Sequence, residues 1–140
     1  MPITTIVQNS FKSGQFNGGA INVTAATIKY ALFTNASNIS ATTVLYSSLT
    51  HEVSGTGYST GGNSVTLTAN VTNPANPIFL ASGSAQWTGA SFTARYGALY
   101  DTVTSKIIRY DDYGGDQTVT AGTFTVQFDN TNGVLNITSD

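Results

Sequence analysis

Two-residue alternation of apolar and polar side chains constrains this chain more than any other feature. Over residues 91–100, Phe92, Ala94, Tyr96, Ala98 and Tyr100 fall in one phase, with Thr93, Arg95, Gly97 and Leu99 in the other. Successive side chains on a strand point to opposite faces, so this pattern predicts a strand with one buried face, and its length predicts a central one. The alternation recurs at Val65, Leu67, Ala69 and Val71, and again at Phe124, Val126 and Phe128. Residues 28–33, 78–81, 106–110 and 134–137 complete the expected strands. No 3.6-residue apolar period is sustained anywhere, and only residues 41–49 could hold a helical turn.

Turn-forming clusters lie between these runs: 54–57 (Ser-Gly-Thr-Gly), 61–63 (Gly-Gly-Asn), Asn73-Pro74, Asn76-Pro77, Thr88-Gly89, 114–116 (Gly-Gly-Asp) and 130–133 (Asn-Thr-Asn-Gly). Such residues tolerate left-handed backbone or bond their own main chain, so they end strands and start turns. Residues 100–106 and 129–133 read as hairpins. Seven or more short antiparallel strands predict an all-β fold, a β-sandwich of jelly-roll or Ig-like kind. One domain spans residues 20–140. Residues 1–19 read as an edge strand or an extended N-terminal arm, because Ile3, Ile6, Phe11 and Phe16 keep no common period yet could each fill a pocket on a neighbour. Phe92, Tyr96, Phe124 and Phe128 are expected to form one inner aromatic layer. Trp87, in phase with Ala85, divides between core and interface.

Charge narrows the partners. Only 9% of residues are charged, the formal net charge is -2, and Ser, Thr and Asn fill 49 of the 140 positions. There is no basic footprint for nucleic acid or anionic lipid, and residues 1–10 hold neither a basic leader nor an apolar run, so neither a nucleic-acid nor a membrane role is expected. A surface with so few charges can be covered by neighbours without stranding many of them.

The catalytic inventory is thin. The chain has one His (His51), one Glu (Glu52) and no Cys. A Ser nucleophile would need His51 as its base, and no G-x-S-x-G elbow is present. Adjacent His51 and Glu52 face opposite sides of an extended segment, so they read as a polar loop pair. Asp111, Asp112 and Asp116 flank two glycines but lack calcium-loop spacing, and a connection between strands explains them. No catalytic, cofactor or metal site is assigned, and the chain is read as a non-enzyme.

Several segments carry a resemblance: His51-Glu52-Val53-Ser54-Gly55-Thr56-Gly57-Tyr58, Trp87-Thr88, Phe92-Thr93-Ala94-Arg95-Tyr96, Leu99-Tyr100-Asp101, Gly115-Asp116-Gln117-Thr118-Val119, Gly122-Thr123-Phe124-Thr125-Val126-Gln127-Phe128 and Gly133-Val134-Leu135. Taken in order, the chain resembles small virion structural proteins of tailed bacteriophages. The resemblance implies a non-enzymatic β-sandwich component of the particle, made in the host cytoplasm. The favoured role is a capsid cement or decoration protein, bound to the major capsid protein as a homo-oligomer, a trimer at a symmetry axis. The alternative is a tail- or fibre-associated, lectin-like host-binding module. Interface contacts are expected from Ile3, Ile6, Phe11, Phe16 and Trp87.

Overall fold

The computed structural model describes residues 4–7, 27–70, 78–81, 85–128 and 135–136, with side chains described over 27–67 and 85–128. The fold is all-β and antiparallel. The described strands are β1 (Thr4–Val7), β2 (Ile28–Phe33), β3 (Asn63–Val65), β4 (Leu67–Asn70), β5 (Ile78–Ala81), β6 (Ala85–Asp101), β7 (Ile107–Val126) and β8 (Leu135–Asn136), with one 3-10 turn at Tyr46–Ser48. They form a five-stranded sheet in the order β1-β7-β6-β2-β3 and a three-stranded sheet in the order β4-β5-β8.

The apolar run at residues 65–71 is divided between the two sheets. Asn63–Val65 pairs with β2, whereas Leu67–Asn70 pairs with β5. Val65 and Leu67 are both buried in the same core on either side of exposed Thr66, so one short segment turns a corner between sheets.

β6 and β7 are much longer than their sequence patterns predict, 17 and 20 residues. The expected breaks at Thr88-Gly89 and 114–116 are bulges inside continuous strands, with Gly89 and Gly114 at positive φ. At the larger bulge Ala94 pairs with Gln117 and Tyr96 with Asp112, so Arg95 alone faces four residues of β7. A second lies where Leu99 pairs with Arg109 and Tyr100 with Ile107. Extra residues shift the pleat. Phe92, Ala94 and Leu99 therefore enter one core, while Ala98, Tyr100 and half-buried Tyr96 pack in another. The single aromatic face expected over 92–100 is corrected accordingly: Phe92, Phe124 and Phe128 share a core, and Tyr96 does not.

Each face of the five-stranded sheet thus has its own core. On the first, Ile28, Tyr30, Leu32, Leu99, Ile108 and Tyr113 meet Val53, Leu67, Trp87 and Phe128. On the second, Ala31, Phe33, Ala98, Tyr100 and Ile107 are roofed by the segment 34–50 through Ile39, Tyr46 and Leu49.

The free side of β2 is closed in two pieces. β3 covers Ile28 to Tyr30, and segment 51–53 covers the other end through Val53 N–H to the Leu32 carbonyl (2.9 Å) and Thr34 N–H to the His51 carbonyl (3.0 Å). Residues 54–62 leave the ladder between them. The gap is filled by the Tyr58 hydroxyl, which accepts from Leu32 N–H at 3.0 Å. Gly62, at φ +76°, returns the chain directly onto the Tyr30 carbonyl, where a Cβ has no room.

Candidate interaction surface

Beyond the large bulge, β6 and β7 continue as a two-stranded ribbon whose two faces differ sharply. Ala85, Trp87, Ala90, Phe92, Ala94 and Val126 are buried on the inner face, with Val119 and Phe124 partly buried beside them. The outer face presents Gln86, Thr88, Ser91, Thr118, Thr120, Thr123 and Thr125, all exposed, with Thr93 half-buried. None of these side chains is charged. They satisfy one another across the strands: Thr93 and Thr118 hydroxyls lie 2.9 Å apart, and the Gln86 amide donates to Thr125 Oγ1 at 3.3 Å.

Charge begins where the roof over the second core stops. Arg95 forks onto Asp112, Nε to Oδ1 at 2.8 Å and Nη2 to Oδ2 at 3.4 Å, and lies over the Tyr96 ring. The hydrogen-bonding guanidinium holds the Asp112 carboxyl below the ordinary carboxylate range against the opposing effect of burial, with Gly114 N–H assisting. Asn35 donates to Asp116 at 3.3 Å from the roof segment.

Two further polar clusters are internal. Glu52 accepts from the Tyr46 hydroxyl, the Tyr58 hydroxyl and Gly61 N–H, each at 2.6 Å. Tyr46 stacks on Tyr100 at 4.1 Å, and the Tyr100 hydroxyl closes the ring onto the Gly61 carbonyl. Burial first, and the Glu52 hydrogen bond second, push the Tyr46 and Tyr58 hydroxyls up. On the other face the Tyr30 hydroxyl donates to Asp111 at 2.6 Å and meets the Tyr113 hydroxyl at 2.8 Å, while Arg109 Nη2 binds the same Asp111 oxygen at 2.8 Å. Burial pushes both phenols up. Gly97 lies between them, and its missing side chain lets β2 and β7 touch across β6.

These networks relocate several residues read from the sequence. Glu52 is a three-donor hub, not the outward half of a polar loop pair, while His51 is exposed at φ +60°. Asp111 and Asp112 serve opposite faces, one with Arg109 and the other with Arg95. Trp87 is 3% exposed and packs on Tyr58, Phe92 and Phe124, so its ring presents no surface to a partner. Ile6 lies in β1 opposite Tyr110 of β7, and Ile3, Phe11 and Phe16 lie outside the described residues. The Thr face could be read from the alternation. The Glu52 hub could not, because it depends on the loop 54–62 returning to β2; that Glu52 is the chain's only Glu was the one available hint.

Comparison with known proteins finds no matching family model, no matching curated protein and no matching solved structure.

Proposed function

We propose that this chain is a non-enzymatic structural component of a tailed-phage particle, favoured on the capsid as a cement protein that binds the major capsid protein as a homo-oligomer. The proposal includes the finer reading of the two sheets as a sandwich. The observation that carries it is the outer face of the β6/β7 ribbon, a broad strip of Thr, Ser and Gln without a formal charge. Such a face can be dehydrated against a neighbour at the cost of hydroxyls and amides, which re-pair readily, and with no buried charge. The carboxylates of Glu52, Asp111 and Asp112 support the same reading, since each is spent holding strands and loops together. A cement protein works by area: separating two lattice subunits must also break its contacts, and symmetry repeats the effect.

A lectin-like module stacks sugars on open aromatic rings, and the burial of Trp87 weighs against it. The test is made on particles. Heads lacking the protein should bind it saturably, at a copy number set by the lattice symmetry, and should then resist heat-induced loss of DNA. Heads that neither bind it nor gain heat resistance would overturn the capsid role, and binding confined to tails would move the protein there.

A further inference from the structure

The outer edge of β7 is guarded at its start, from Ile107 to Asp112. Segment 44–46 lies along its start, through Tyr46 N–H to the Ser105 carbonyl and Ile107 N–H to the Val44 carbonyl, and β1 covers Arg109 to Asp112. Past the bulge, among the described residues, no strand lies against Thr118 to Val126. Open edges are normally blunted by Lys, Pro or inward charge. This one carries none over Thr118-Val119-Thr120-Ala121-Gly122-Thr123-Phe124-Thr125. Its inner-face residues are also unfinished: Val119 and Phe124 are only half-buried, whereas Phe92 and Trp87, their neighbours on β6, are buried.

The stretch is a palindrome of side-chain character. β7 bulges at Thr120-Ala121 opposite Ser91, with Ala121 at φ +47°, and this extra residue is what brings Val119 and Phe124 to one face. About a two-fold axis at that bulge, between Ala121 and Gly122, an antiparallel copy sets Thr118 against the partner's Thr125, Val119 against the partner's Phe124, and Thr120 against the partner's Thr123. Every exposed Thr meets an exposed Thr, and each half-buried apolar residue meets another on the inner face. A two-fold contact requires such self-matching, and a strand without charge brings no like-charge repulsion to it. We infer that the β7 edge from Thr118 to Thr125 pairs with the same edge of a second copy of this chain, joining two five-stranded sheets into one. The contact does not depend on the virion role, and it makes the dimer, in place of the trimer that the resemblance implies, the unit of assembly.

Charge reversal across the axis tests it on the full chain. By light scattering at micromolar concentration the native chain should run at twice its 14.6 kDa mass. T118K/T125K places Lys against Lys at both outer pairs and should halve that mass with an unchanged far-ultraviolet spectrum. T118K/T125E places Lys against Glu at both and should restore it. Residues 118 and 125 lie roughly 20 Å apart along one bulged strand, so the rescue acts between chains. A native mass of one or three chains overturns the inference, as does a Lys/Lys variant that keeps the double mass or a Lys/Glu variant that fails to regain it. If the Lys/Lys variant does not fold, amide exchange on the native chain decides: protection of 118–125 that grows with protein concentration supports the contact, and concentration-independent exchange overturns it.

Discussion

At residue scale the fold turns on a few positions where a side chain is either excluded or irreplaceable. Gly97 is one of them. A Cβ there would fall on the Tyr30 ring and the Tyr113 hydroxyl, so Gly97→Ala should cost at least the ~1–3 kcal/mol of an overpacked core, read as a lower denaturant midpoint. Glu52 is the converse case. Glu52→Gln keeps the shape but turns one acceptor oxygen into a donor facing donors, which leaves a hydroxyl or the Gly61 N–H unsatisfied and should cost about 1–3 kcal/mol. Ala121 is held at φ +47°, a conformation that costs an L-residue about 1–2 kcal/mol. Ala121→Gly removes that cost against a smaller entropic one, so it should raise stability by about 0.5–1 kcal/mol. A lower melting temperature for that variant would show that the backbone there is unstrained.

At element scale the two long strands divide the aromatic residues unequally. Phe92 is buried on β6, so Phe92→Ala should cost about 3–5 kcal/mol. Phe124, on the outer strand of the ribbon, is half-buried, and Phe124→Ala should cost about half as much in the isolated chain. Equal losses in melts of the two variants would mean that Phe124 is as well covered as Phe92. This inequality could not be read from the sequence, where both residues alternate equally well. What alternation did show was the existence of the strands: β2 spans the 28–33 expected of it, and the hairpin over 100–106 closes with Asp101 accepting from Val103 and Thr104 N–H. What it hid were the bulges. An inserted residue changes which side chains share a face without changing their composition, so Tyr96 kept its apparent phase with Phe92 while the pleat between them had shifted. Gly89 and Gly114, read as turns, bend the chain within a ladder, whereas Gly57, Gly61 and Gly62 lie in the loop expected of them. Leu67 likewise continued the pattern of Val65 in sequence while changing sheets in space.

At the scale of the whole molecule, the chain is poor in charge and rich in enclosed phenols, and this sets its response to pH. The hydroxyls of Tyr30, Tyr46, Tyr58, Tyr100, Tyr110 and Tyr113 are all pushed above the ordinary tyrosine value, in each case chiefly by burial. Below about pH 10 both folded and unfolded chains keep these protons, and the phenols leave stability unchanged. Above it the unfolded chain releases protons that the folded chain retains, so stability falls as pH rises. Denaturant midpoints should therefore drop steeply above about pH 10, with phenolate absorbance from these residues appearing together with the loss of structure. Phenolate signal from all six ahead of unfolding would contradict the burial described for them. The site was legible at this scale only in part: the low charge and the Thr alternation announced a coverable face, whereas its placement on an edge that no described strand covers depends on the register of β1, Thr4 to Val7 against Asp112 to Arg109. That last pairing has a consequence for how the protein is made. β6 and β7 are joined by a short turn and can zip together as soon as both exist, but β1, the first of the described strands along the chain, finds its partner only in residues 109–112. The native ladder of β1 cannot form until the chain has grown about a hundred residues beyond it. Closing this edge of the sheet thus carries a large loop-closure cost, whereas the β6/β7 hairpin beside it is local.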